Sequence, residues 1–137
     1  MPINYRVDHE KRLVVALGHG VLADGEVFGY QREAWSRTDV RGYNELVDMT
    51  RVTKIELPST DRIKDLARLA AAMDTGASGS KFAIVAPADL AFGLGKMFQT
   101  YRSLMPQSQK EVGVFRTMEE ALVFLEVQGP VTLPATG

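Results

Sequence analysis

The chain contains no cysteine, which excludes disulfides and thiolate metal sites and accords with a reducing cytoplasm. It also lacks an excess of either charge. With 16 Lys and Arg against 17 Asp and Glu, well mixed along 137 residues, the formal charge is −1, and no basic field exists to hold a phosphate backbone. Nucleic acid is therefore not an expected partner. No apolar run approaches the length needed to span a bilayer, and Asp8, His9, Glu10 and Lys11 come before any apolar segment. Neither a transmembrane span nor a signal peptide is expected, and the expected location is cytoplasmic. Histidine is scarce as well: His9 lies in an early turn and His19 stands between Gly18 and Gly20. His19 has Asp24 and Asp48 as candidate carboxylate neighbours, the pairing that a general base uses. No nucleophile motif completes that pair, and two isolated histidines make no metal site. The sequence thus predicts no catalytic residue, no metal, no cofactor and no enzymatic activity.

What is present suits one globular domain with a real core, since 45% of the residues are apolar and 24% charged. Ile3, Tyr5 and Val7 alternate with Asn4, Arg6 and Asp8 as a half-buried strand does, and a polar turn leads to a second strand over 13–17, giving an antiparallel hairpin. Residues 24–37 gather Val27, Phe28, Tyr30, Ala34 and Trp35 in one helical arc, with Arg32, Glu33 and Ser36 opposite. A short strand follows at 43–48. After Pro58, a helix over about 60–74 turns Ile63, Leu66, Ala67, Ala70 and Met73 to one side, with Ser59 or Thr60 placed to cap it. A glycine- and serine-rich break at 75–80 precedes the unbroken apolar run 82–86, which predicts a central strand covered on both faces.

The stretch "AFGLGKMF" at 91–98 resembles a phosphate cradle on first reading, but helical spacing puts Leu90, Leu94, Met97, Phe98, Tyr101, Leu104 and Met105 in one arc. Gly93 and Gly95 then lie inside a helix, whereas a cradle needs its glycines upstream, where free amides converge. A glycine inside a helix costs about 1 kcal/mol relative to alanine. Ala91 and Gly95 stand side by side, so either a neighbouring backbone approaches closely there or a well-packed helix tolerates them. Phe92 falls on the polar side with Lys96, Gln99 and Ser103, as an exposed aromatic at a partner or lipid contact would, or as an isolated exposed apolar residue.

A last strand at 111–115 leads into a helix over 117–126, where Thr117 and Glu120 have capping-box spacing and Glu119 and Glu120 complement the helix start. Residues 127–137 carry no charge and two prolines, which predicts an extended or loose tail. Its L-P-A-T-G ending matches a cell-wall sorting pattern. The apolar span, basic tail and export signal that this pattern works with do not accompany it, so no anchoring is expected.

The element order is β-β-α-β-α-β-α-β-α. The stretches "LVVALGHGVLADGEVFGYQREA", "YNELVDMTRVTKIELPSTDRIKDLA", "KFAIVAPADLAFGLGKMFQTYRSL" and "VGVFRTMEEALVFLE" resemble the STAS-like, SpoIIAA-like bacterial proteins over residues 3–126. Ala86-Pro87 followed by Phe92-Gly93, and Phe115-Arg116 followed by Glu120-Ala121, carry that resemblance. It implies an α/β fold: a four- to five-stranded mixed sheet, an N-terminal β-hairpin and about four helices, forming one domain over 1–126. It also implies a regulatory or scaffolding role, and some members resemble the lipid-carrying CRAL-TRIO domains. In STAS-group antagonists a serine in a D-S-S-G-L motif is phosphorylated. The matching "ELPSTDRI" does not preserve the motif but offers Ser59 and Thr60 as a phospho-switch or a plain helix cap. Two functional readings follow. One is a non-enzymatic interaction module, homodimeric and meeting a protein partner; the other is a carrier or sensor of an apolar ligand or lipid, with Trp35, Phe92, Met97, Phe98 and Tyr101 lining its pocket.

Overall fold

The computed structural model describes residues 3–57, 59–74 and 79–135. Pro58, residues 75–78 of the glycine-rich break and the last two residues of the L-P-A-T-G ending lie outside them. Strand β1 (Ile3–Asp8) pairs antiparallel with β2 (Leu13–Ala23), Ile3 opposite Gly18 and Asp8 opposite Leu13. The turn is tightened by the Lys11 amide, which donates to Asp8 Oδ1 at 3.0 Å. From β2 onward the pairing is parallel, through β3 (Asn44–Glu56), β4 (Lys81–Val85) and β5 (Glu111–Phe115), and the strands lie in sequential order. Helices α1 (Asp24–Trp35), α2 (Asp61–Ala72) and α3 (Asp89–Ser103) connect the parallel strands, and α4 (Met118–Leu125) follows β5.

Sequential parallel strands joined by crossovers of one hand carry their helices on one face. Helices α1, α2 and α3 accordingly meet the face bearing Ala16, Val47, Phe82, Ile84, Val112 and Val114. The residues between these in the strands, Leu13, Val15, Leu46, Ala83 and Val85, point the other way, onto Ala121 and Leu125 of α4. Strand β4 is buried on both faces as its apolar run predicts, but the middle strand of the sheet is β3, with β4 between β3 and β5.

The expected strands at 13–17 and 43–48 are only the first parts of β2 and β3. Beyond them His19 to Ala23 pairs with Arg51 to Glu56, after register shifts around Gly18 and Gly20. The β3–β4 ladder stops at Asp48 opposite Val85, so this extension is a two-stranded ribbon whose polar residues carry no alternation signal. Gly20, with φ at +67°, supplies a left-handed conformation at one irregularity.

Two further expectations are corrected. Thr60 makes no capping bond through its side chain; its φ and ψ of −69° and −18° are already helical, whereas a cap needs extended backbone. The carbonyls of Ser59 and Thr60 instead accept from the Arg62 and Ile63 amides. The tail, expected to be extended or loose, is packed rather than loose over 127–135: Val127, Val131 and Leu133 pack on the α4 side, Arg6 Nη1 donates to the Thr132 carbonyl at 3.2 Å and Lys11 Nζ to that of Gln128 at 3.3 Å. At the start of α4, Thr117 Oγ1 accepts from the Glu120 amide at 3.3 Å, as the capping spacing requires.

Candidate functional site

The three helices do not fill the space above their face of the sheet. A cavity of about 120 Å³ remains between Val47, Met49, Phe82 and Ile84 on the strands and Val27, Phe28, Leu66, Leu94 and Phe98 on the helices. Its walls are almost wholly apolar, with polar groups at two ends.

At the outer end Arg62 Nε donates to Asp24 Oδ2 at 2.6 Å, and its guanidinium lies 4.2 Å from the centre of the Phe28 ring. The bond from Arg62, ahead of the opposing effect of desolvation, holds the Asp24 carboxyl below its usual range. This link joins the first turn of α1 to the first turn of α2. Ser59 and Thr60 are exposed beside it.

At the inner end Tyr30 donates to Glu45 Oε2 at 2.8 Å, and Trp35 Nε1 reaches the same oxygen at 3.1 Å. Lys110 Nζ donates to Glu45 Oε1 at 3.2 Å and lies 3.0 Å from the centre of the Trp35 ring. Burial first, then the Glu45 charge, pushes the Tyr30 phenol well above its usual pKa, so it remains a donor at neutral pH. Burial lowers Lys110, against the opposing pull of Glu45 and Asp74. A second buried pair adjoins it, where Asp74 Oδ2 accepts from Arg102 and from the Gln109 amide at 2.9 Å. Among the described residues no buried side-chain nitrogen or oxygen lacks a partner. Trp35 and Lys110 of this network also border a polar cleft of about 270 Å³, together with Arg37, Arg41 and Asp74.

Of the five residues expected around a pocket, only Phe98 lines the cavity. Phe92, Met97 and Tyr101 pack against the neighbouring core, and Trp35 serves the Glu45 network. Phe92 is half-buried rather than bare, under the Arg116 guanidinium at 4.0 Å, which also bonds Asp89 and the Pro87 carbonyl. Leu90 and Leu104, placed in the apolar arc by spacing, are 63% and 73% exposed, because they occupy the two ends of α3. Gly93 and Gly95 do lie inside that helix. A Cβ on Gly95 would come within 3.0 Å of Val114 Cγ1, so the close approach is made by sheet side chains and not by backbone; one on Gly93 would meet open space. His19 Nε2 pairs with Asn4 Oδ1 at 2.8 Å across the hairpin, away from the Asp24 and Asp48 carboxylates considered for it, and His9 Nδ1 with Tyr43 Oη at 2.8 Å.

Spacing arguments missed Gln31, Glu45, Arg62, Arg102 and Lys110. Glu45 left a signal, being a carboxylate on the strand face shared by Tyr43 and Val47. The others resemble surface residues in sequence.

No protein-family model and no curated protein matches the sequence. The crystal structure of an uncharacterised DUF3478-family protein from Shewanella loihica PV-4, with a SpoIIAA-like fold, aligns at a TM-score of 0.57. The alignment covers 90% of this chain and 93% of that one, at 13% identity. The fold is SpoIIAA-like. The five-stranded mixed sheet, the opening hairpin and the four helices are those the sequence resemblance implies. Within this SpoIIAA-like frame the cavity lies under the three crossover helices, and no helix among the described residues is long and apolar enough to cross a membrane.

Proposed function

We propose that this SpoIIAA-like chain is a non-enzymatic regulatory module that senses a small apolar ligand held between its crossover helices and its sheet. The cavity carries this reading. Apolar cavities of about 150 Å³ stay dry and bind benzene, so about 120 Å³ suits one ring or a short hydrocarbon segment and not a whole lipid. An occupant touches α1, α2 and α3 together, and the Asp24–Arg62 link couples the first two at the surface that carries Ser59 and Thr60. Occupancy therefore reaches a face where a protein partner docks.

The test is a titration of benzene followed by thermal unfolding. Ligand at 100 times its dissociation constant stabilises a native state by about 2.7 kcal/mol. Wild type is expected to show that rise in melting temperature, and Val27→Phe, which fills the cavity, to melt higher alone and to lose the benzene response. A wild-type melting temperature indifferent to benzene refutes the proposal.

Exposed Leu90, Leu104 and Val123 favour a second reading, in which the module pairs with itself in the cytoplasm through helix ends. Sedimentation of wild type and Leu104→Ser decides it: a dimer that the substitution dissociates supports pairing, and a wild-type monomer at high concentration refutes it.

A further inference from the structure

We infer that the occupant of the cavity carries a neutral hydroxyl group, which Gln31 reads. This rests on the reading of the cavity as a ligand site. Gln31 is on α1, seven residues beyond Asp24 and so about 10 Å further along the helix, at the inner end of the cavity that it lines. It is only 8% exposed. Its amide nitrogen donates to a thioether, Met73 Sδ, at 3.7 Å, and sulfur is a weak acceptor. The other polar groups at the cavity are strongly engaged. Tyr30 is bonded to Glu45, both Glu45 oxygens accept from nitrogen or phenol donors, and Asp24 holds Arg62. Gln31 thus lines the apolar cavity while its amide nitrogen turns to a weak acceptor that borders the adjoining polar cleft, a bond that an occupant's hydroxyl can replace; leucine or methionine would pack there without an amide to desolvate.

The charges around the cavity narrow the ligand further. An anionic head at the inner end meets the Glu45 carboxylate, and at the outer end it meets an Arg62 already neutralised by Asp24. A cation would lose its hydration among apolar walls with each carboxylate already paired, and the Phe28 and Phe98 rings already face the Arg62 and Arg102 guanidinium groups. A hydroxyl both donates and accepts, as the carboxamide does, and carries no charge. Its chemical class is a small phenol or short-chain alcohol whose apolar part occupies the space between Val47, Leu66 and Phe98.

Calorimetric titration with benzene, phenol and benzoate, on wild type, Gln31→Leu and the size-conserving Gln31→Met, tests this. Wild type is expected to bind phenol about tenfold more tightly than benzene, the ratio that one net hydrogen bond supplies, and benzoate least of all. Both variants are expected to bind benzene and phenol alike. Equal wild-type affinity for benzene and phenol, tightest binding of benzoate, or a phenol preference that survives in Gln31→Met overturns the inference while leaving the cavity a ligand site. If none of the three binds wild type, the cavity reading and the inference fall together.

Discussion

The two faces of one sheet are packed in different ways, and β3 shows the contrast at adjacent residues. Leu46 points to the α4 face and is fully buried among Leu13, Val15, Ala83 and Val85; Val47 points to the crossover-helix face and borders a void. Among the described residues two buried ion pairs, Glu45–Lys110 and Asp74–Arg102, lie near the inner end of the void. The α4 face is closed by one short helix and a strap of irregular chain over a continuous apolar layer. Three helices that must each follow a crossover leave a gap that a helix and strap, free of any strand to return to, do not. Apolar packing is complete on one face, while the other combines a gap with buried charge pairs.

Four experiments test this division, the largest effect first. Lys110→Met leaves Glu45 charged and buried, which costs about 3–5 kcal/mol, and the double variant with Glu45→Gln is expected to recover much of it. Urea unfolding of the three proteins reads this out. Next, the same deletion on the two faces separates them: Leu46→Ala is expected to cost about 2–5 kcal/mol, whereas half-buried Leu66→Ala, beside the existing void, costs roughly 1 kcal/mol. Equal losses in chemical denaturation argue against a real void.

The third test lies within α3. Gly95→Ala crowds Val114 and costs about 1–3 kcal/mol, while Gly93→Ala, in open space, gains up to about 1 kcal/mol from helix propensity. A shift of the two melting temperatures in the same direction contradicts the placement of the helix. The smallest effect is that of the Asp24–Arg62 link, read as a function of pH. Because the folded Asp24 carboxyl is depressed, the unfolded chain takes up its proton first on acidification. The contribution is present above the ordinary carboxylate pKa and lost as pH falls through the depressed value. Asp24→Asn is expected to flatten that part of the acid slope in unfolding free energy, and an unchanged slope refutes the link.

Much of the architecture was legible because period-two and helical patterns coincide with one-sided burial. The hairpin from Ile3, Tyr5 and Val7, the doubly covered run at 82–85 and the position of Gly93 and Gly95 inside α3 all follow from spacing. The far halves of β2 and β3 were not legible, since a ribbon with an open edge, bearing Arg51, Lys54 and Glu56, needs no apolar alternation. The candidate site was less legible still. Helical spacing assigns residues to a side but does not measure how well that side is filled, so Phe98 falls on the cavity while half-buried Met97 and Tyr101 pack against the core beside it. Lys110 and Arg102 read as solvated charges because their partners, Glu45 and Asp74, are remote in sequence.

The sequential order of the strands also bears on how the chain assembles. Every ladder joins strands that follow one another in the chain, the first across a tight turn and the parallel ones across crossovers that each carry one helix, so the sheet grows by one such closure at a time. The bonds from Arg6 to the Thr132 carbonyl and from Lys11 to that of Gln128 are of another kind, because they link the opening hairpin to the strap across nearly the whole chain. Such closures are expected to form late and to open early, which faster amide hydrogen exchange over 127–133 than in β3 would show.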